Sequence, residues 1–280
     1  IYLEINVLKS ILIIKKIKPD IVFSTGGYVT LAPALASVIL SIPLFIHEQN
    51  SVPGLVNRIL NKFSKLTFEA FPDSFNKSSK IHTVGNPVRS GIIKNPPTEA
   101  KKKEQFNILI LGGSQGSKQL NEIVLKTIRD KIIPINWCIV HQVGDLDKSS
   151  LVDVYSKQSF SYEVVSYIED IGKAYHESDL VIGRSGAMTV SEICCSSKPS
   201  ILFPLPWAAD NHQYFNAKFL EDKKASILLE SSLDSADRLF TLLNDLEKDH
   251  NARHSMSLNA FDTFPVSSGN RIVEIINESF

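Results

Sequence analysis

Short apolar runs rich in β-branched residues alternate with helix-like segments along nearly the whole chain, and few folds accept that order. A strand buried on both faces reads as a continuous apolar run, and a helix between two such strands supplies the crossover that parallel pairing needs. Residues 20–24, 43–48, 65–71 and 80–85 read as strands, with helical stretches at 31–40 and 53–62. After Gly91 the chain turns to Lys-Asn-Pro-Pro-Thr-Glu-Ala-Lys-Lys-Lys, a polar, proline-bearing stretch expected of a linker. The alternation then restarts, with strands expected at 107–112, 137–142, 163–168, 179–184, 200–203 and 225–229. Helices fit at 117–129, 171–178, 187–195 and 211–221, and closing helices at 232–249 and 265–280. The order predicts an α/β protein of two doubly wound, Rossmann-like domains facing a cleft. Their expected limits are 1–92, a linker at 93–104, a second domain at 105–262, and a C-terminal helix within 263–280 that packs back on the first domain.

Charge and composition narrow the class of partner. Thirty basic and thirty acidic residues give a formal net charge of zero, so no global field draws the protein to nucleic acid. The zero is a cancellation: residues 1–100 carry 11 basic and 6 acidic side chains, and residues 101–280 carry 19 and 24. Cys138 and the adjacent pair Cys194 and Cys195 form neither a disulfide framework nor a zinc pattern. Nothing reads as a cleavable signal peptide, and the most apolar stretch, 31–46, is interrupted by Pro33 and Pro43 and is too short to span a bilayer. A soluble or surface-attached protein is the expectation. Residues 1–18 are apolar at 1, 5, 8 and 12 and again at 3, 7, 11 and 14, flanked by Lys9, Lys15, Lys16 and Lys18. That is a wide helical stripe with basic edges, expected to pack on one side and to meet an anionic lipid surface with part of the other.

Four motifs carry chemistry. Gly112-Gly113-Ser114-Gln115-Gly116-Ser117 lies between a strand and a helix, where glycines let the backbone approach a phosphate and helix N–H groups receive it. It lacks the Gly-Lys-Ser/Thr of a P-loop, and the next strand ends His141-Gln142 without the acid of a dinucleotide site. Arg184-Ser185-Gly186-Ala187 through Glu192 opens a helix whose first-turn N–H groups suit a diphosphate. Glu192, further along, can accept both hydroxyls of a ribose, or serve only as a favourable acid near a helix start. Asp210-Asn211-His212-Gln213 falls at a strand-to-helix rim, where amides suit sugar hydroxyls and Asp or Asn also suits a helix cap. In the first half, Gly26-Gly27-Tyr28 and His47-Glu48-Gln49-Asn50 each follow a strand, and the second run is too polar for an ordinary turn.

Taken in order with Gly54, Asn57, Gly85-Asn86-Pro87-Val88-Arg89 and Asn216, these motifs resemble the MurG family. Its members are GT-B glycosyltransferases at the cytoplasmic face of the membrane. They move N-acetylglucosamine from UDP-GlcNAc onto undecaprenyl-diphosphate-linked N-acetylmuramoyl-pentapeptide, lipid I, to give lipid II for peptidoglycan. The resemblance implies a donor site in the second domain: Ile168 and Arg89 by the uracil, Ser114 and Ala187, Met188, Thr189, Val190 and Ser191 around the diphosphate, and Glu192 on the ribose. Asn50 and Gln213 would complete the sugar site. Tyr28, Asn57 and Asn216 are further candidate contacts.

The implied reaction is inverting, so it needs a base for the acceptor hydroxyl but no covalent nucleophile. His47 and Glu48 are the candidates for that base. No metal set is seen, no cofactor is expected, and His250 and His254 are expected on a solvated face. The family opens with a glycine-rich loop carrying a His near the reacting centre. This sequence starts in the helix before Lys18-Pro19-Asp20, so a first domain lacking its opening segment is expected. Two rival readings share the architecture: a UDP-N-acetylglucosamine 2-epimerase, and a fragment that binds UDP-sugar without turnover.

Overall fold

The computed structural model describes residues 2–99, 103–113, 116–144 and 148–280. Two compact units emerge, Ile1–Pro87 with Ser267–Phe280, and Val88–Val266. In the first, α1 (Tyr2–Ile17), β1 (Val22–Ser24), α2 (Tyr28–Ile39), β2 (Leu44–Glu48), α3 (Leu55–Leu60), β3 (Leu66–Glu69) and β4 (Ile81–Thr83) follow one another. The strands form a parallel sheet in the order β1-β2-β3-β4. Strand alternation sorts the side chains of β2 between two cores. Leu44 and Ile46 pack with Ala34, Val56, Leu60 and Phe75, whereas Phe45 packs with Phe68 and Val84 against Ile272 and Ile275 of the C-terminal helix. Lys65 Nζ, which donates to the Ser279 carbonyl at 2.6 Å and lies over the Phe280 ring, ties the chain end to the same sheet.

Helix α1 turns Val7, Ser10, Ile11 and Ile14 inward, the spacing of one helical face, and packs chiefly on α2. Leu8 and Leu12 on another face are 63% and 70% exposed, and Ile13 and Ile17 are exposed beside them.

The second unit runs β5 (Phe106–Leu111), α4 (Lys118–Asp130), β6 (Trp137–Gln142), α5 (Lys148–Tyr155), β7 (Ser161–Val165), α6 (Ile171–Glu177) and β8 (Leu180–Gly183). It continues with α7 (Ala187–Cys195), β9 (Ser200–Leu202), α8 (His212–Asp222), β10 (Ser226–Leu228), α9 (Ser235–Lys248) and α10 (His250–Phe261). The C-terminal helix of the first unit is α11 (Ser268–Glu278). The sheet is parallel in the order β10-β9-β8-β5-β6-β7. Strand succession therefore reverses between β5 and β8, the point where a doubly wound sheet opens a crevice at its carboxyl ends. Its core joins Ile108, Ile110, Ile139, Ile182 and Ile201 to Leu120 and Val124 of α4 and Leu239 and Leu243 of α9. Each such side chain contributes roughly 1.5–3 kcal/mol on burial.

Several expected limits move. The boundary falls at Pro87–Val88 and not at 92, because residues 89–94 are bound into the second unit. There the Lys94 N–H donates to the Cys195 carbonyl at 2.9 Å, and Ser197 Oγ donates to the Lys94 carbonyl at 2.8 Å. Gly172 meets the Gly91 carbonyl so closely that a Cβ would lie 2.4 Å from it. The strand expected at 163–168 is β7 at Ser161–Val165, which leaves Tyr167 and Ile168 in a loop. Helices α5 and α10 were not expected from the sequence.

Candidate functional site

The carboxyl ends of β5 and β8, adjacent in the sheet, carry two of the four motifs. After β5, Gly112 must be glycine because a Cβ would come within 2.8 Å of the Gln142 carbonyl, and Gly113 and Gly116 adopt φ of +84° and +75°. Ser114 lies outside the described residues. Ser117 caps α4, its Oγ accepting from Leu120 N–H at 3.3 Å.

After β8, Gly186 precedes α7 without any side-chain cap, so the first-turn N–H groups keep their capacity for an anion. That capacity belongs to Ala187, Met188 and Thr189. The expected run to Ser191 is shortened, because the Val190 N–H already donates to the Gly186 carbonyl at 3.0 Å. Ser191 is buried with its hydroxyl on the Ala187 carbonyl. Glu192 is half-buried one turn further, where its Oε2 accepts from the Tyr175 hydroxyl at 3.1 Å. Burial raises its pKa, while the Tyr175 bond and the positive charge of Arg89 pull it back down. Arg89 is exposed in the same unit, and Ile168 lies in the loop ahead of α6, whose cap is Asp170.

The sequence motif contains Arg184 but assigns it no role. Its Nε donates to Ser117 Oγ at 2.6 Å, Nη2 to Gln119 Oε1 at 3.2 Å and Nη1 to the Pro204 carbonyl at 3.1 Å, so one guanidinium joins the loops after β5 and β9. In the second of these loops, Asp210 and Asn211 both take left-handed φ values of 50° and 53°, an uncommon pair for residues other than glycine. Asn211 precedes α8 without a side-chain cap, so the simple capping reading fails for it. Gln213 Oε1 accepts from the Leu205 N–H at 2.9 Å, which leaves its amide N–H groups to serve a ligand. Asn216 is fully buried and its side-chain amide donates to the Ser185 carbonyl at 3.1 Å, which ties α8 to the turn ahead of α7.

In the first unit the polar run that begins in the last two residues of β2 closes on itself. Glu48 is buried; its Oε1 accepts from the backbone and side-chain N–H groups of Asn50, and its Oε2 from Gly54 N–H and Asn57 Nδ2. His47 Nε2 lies 3.0 Å from the Gly85 carbonyl, so it carries the proton, and Nδ1 accepts from Gln49 Nε2 at 3.1 Å. Burial lowers the His47 pKa. Every basic atom of the two residues thus already accepts a hydrogen bond within the first unit. Asn57 is buried within this clamp, whereas Tyr28 stands exposed at the start of α2.

His250 and His254 are half-buried, correcting the expected solvated face. They line a cavity of about 240 Å³ with Lys198 by the amino ends of β8 and β9, away from the motifs above. Among the described residues no group of three His, Cys, Asp or Glu side chains is arranged to hold a metal.

Two parallel α/β units, the second with paired phosphate-type turns at its switch point, define a nucleotide-sugar-binding protein of the GT-B class. The sequence matches the glycosyltransferase family 28 C-terminal domain over residues 107–272 and the family 28 N-terminal domain over residues 2–68. The chain belongs to glycosyltransferase family 28. A relative from Coxiella burnetii is 39% identical over 252 residues, covering 89% of this chain and 70% of its own length. It is named UDP-N-acetylglucosamine–N-acetylmuramyl-(pentapeptide) pyrophosphoryl-undecaprenol N-acetylglucosamine transferase. The crystal structure of Acinetobacter baumannii MurG is 32% identical with a TM-score of 0.84, covering 97% of this chain and 77% of that one. A Listeria monocytogenes protein described as a putative UDP-N-acetylglucosamine 2-epimerase has a TM-score of 0.74 at 12% identity, covering 98% of this chain and 78% of that one, which shows the shared fold alone.

Proposed function

We propose that this protein transfers N-acetylglucosamine from UDP-GlcNAc to the 4-hydroxyl of lipid I, giving lipid II. The observation that carries this reading is the 39% identity over 252 residues to a transferase of that name. The second unit binds the donor. Ile168 and Arg89 receive the uracil end, and the N–H groups of Ala187, Met188 and Thr189 take the diphosphate. Glu192 accepts the ribose hydroxyls, and Gln213 donates to the sugar. Attack by the acceptor oxygen on the anomeric carbon forms the glycosidic bond and breaks the bond to UDP with inversion, the hydroxyl proton passing to water. The negative charge that grows on UDP is met by helix N–H groups that need no reorganisation. In the first unit, the clamp of His47 and Glu48 fixes the loop that carries Asn50.

No described helix is long and apolar enough to cross a membrane. The exposed Leu8, Leu12, Ile13 and Ile17, flanked by Lys9, Lys15, Lys16 and Lys18, support peripheral binding of the first unit to the anionic cytoplasmic membrane surface. Lipid I sits in that surface.

Labelled UDP-GlcNAc incubated with and without lipid I tests the reading. Label should enter the lipid fraction only when lipid I is present. Isomerised amino sugar formed without lipid would establish the epimerase reading instead, and binding without turnover would establish a donor-binding chain.

A further inference from the structure

Glu192 has one protein partner whose position is fixed far more tightly than its own. Tyr175 is fully buried on α6, and its hydroxyl reaches Glu192 Oε2 at 3.1 Å. The helix that carries it is held at several points. Asp170 Oδ1 accepts from Lys173 N–H at 2.9 Å at the start, and Gly172 abuts the Gly91 carbonyl. At the end, Lys198 Nζ donates to the Ser178 carbonyl at 2.6 Å and the His176 carbonyl at 3.2 Å. Glu192 is itself only half-buried, with a flexible side chain.

A cis-diol is recognised by a carboxylate only when the carboxylate plane is held, since two hydroxyls must meet two acceptor sites at once. One bond from an immobile phenol fixes that plane and occupies one lone pair of Oε2. Oε1 and the remaining lone pair of Oε2 are left for the ligand. The phenol is a donor toward the carboxylate, so it also favours the charged form that accepts hydroxyls.

We propose that Tyr175 is a positioning residue for the donor, orienting Glu192 so that the site selects a ribonucleotide over its 2′-deoxy counterpart. The inference rests on the reading of Glu192 as the ribose acceptor. Tyr175 does not touch the reacting atoms; it acts through Glu192.

Calorimetric titration of UDP and 2′-deoxyuridine diphosphate against the protein, Tyr175→Phe and Glu192→Ala tests it. Tyr175→Phe deletes one oxygen from a packed site and keeps its volume, and a melting curve confirms that each variant is folded. The unaltered protein should prefer UDP by about tenfold or more, the effect of a hydroxyl bonded to a charged group. Glu192→Ala should lose this preference. Tyr175→Phe should lose most of it while binding 2′-deoxyuridine diphosphate within about twofold of the unaltered protein. A preference lost in Glu192→Ala and intact in Tyr175→Phe overturns the role of Tyr175 and leaves Glu192 as the ribose acceptor. Equal weakening of both ligands by Tyr175→Phe also overturns it, because a merely structural tyrosine acts that way. A preference intact in both variants overturns the ribose reading of Glu192 itself.

Discussion

Asn57 Nδ2 lies 2.8 Å from Glu48 Oε2, and through this bond a side chain of α3 holds a carboxylate at the end of β2. Glu48 thereby takes two N–H groups on each oxygen, counting Asn50 and Gly54. A glutamine there turns one acceptor into a donor facing donors. Glu48→Gln should therefore destabilise the first unit by about 1–3 kcal/mol, the cost of leaving buried polar groups unpaired. Urea unfolding measures this. A variant of unchanged stability would show that the four contacts contribute nothing.

Gly26 stands against the same asparagine. Its φ is +83°, and a Cβ would come within 2.8 Å of Asn57 Nδ2. Gly26→Ala combines left-handed backbone strain with a clash against a side chain already bound to Glu48. A loss of about 1–3 kcal/mol is expected. Gly27→Ala, with a φ of +86° but nothing within 4 Å of the added carbon, should cost less. Comparing the two melting temperatures separates backbone strain from the clash.

These residues show what the sequence discloses and what it withholds. The long strands are readable because runs such as Ile108–Leu111 are apolar throughout, as both faces are covered. Helix α10 was missed because His250–Phe261 offers few apolar residues and no clear stripe. The polarity of His47-Glu48-Gln49-Asn50 marks an unusual strand end. It could not separate a base from a clamp, because that depends on Gly85 and Asn57, which only the folded chain brings near. Arg184 left a usable signal, a lone cation directly after the buried strand Leu180–Gly183. Tyr175 left none, since a tyrosine on a short helix is ordinary and its partner lies beyond a strand and a turn.

His141 links stability to pH. It is fully buried, its Nδ1 against the Tyr155 hydroxyl at 3.0 Å and its Nε2 against Asn121 Oδ1 at 3.1 Å. Burial among these neutral partners lowers its pKa from 6.5 to about 3. The unfolded chain takes up a proton near pH 6.5 and the folded chain does not until about pH 3, so acidification favours the unfolded chain across that window. The contribution reaches about 1.4 kcal/mol for each pH unit. His141→Asn should flatten the dependence of the urea midpoint between about pH 6 and 4. Parallel curves for the two proteins would refute the assignment.

Arg184 joins the loops after β5 and β9 in a way that a lysine cannot reproduce. Its fork spans Ser117, Gln119 and the Pro204 carbonyl, all neutral acceptors, and an ammonium reaches at most part of that set. With no acidic group in this set, its charge stays available to an anion bound at the adjacent turns. Arg184→Lys keeps the charge and loosens both loops, whereas Arg184→Gln removes the charge as well. Affinity for UDP should fall by about tenfold in Arg184→Lys and further in Arg184→Gln, while uridine, which lacks the diphosphate, should bind both variants nearly as before. Calorimetry with the two ligands measures the difference. Equal losses for uridine and UDP would mean that Arg184 serves the fold of the second unit and has no specific part in holding the diphosphate.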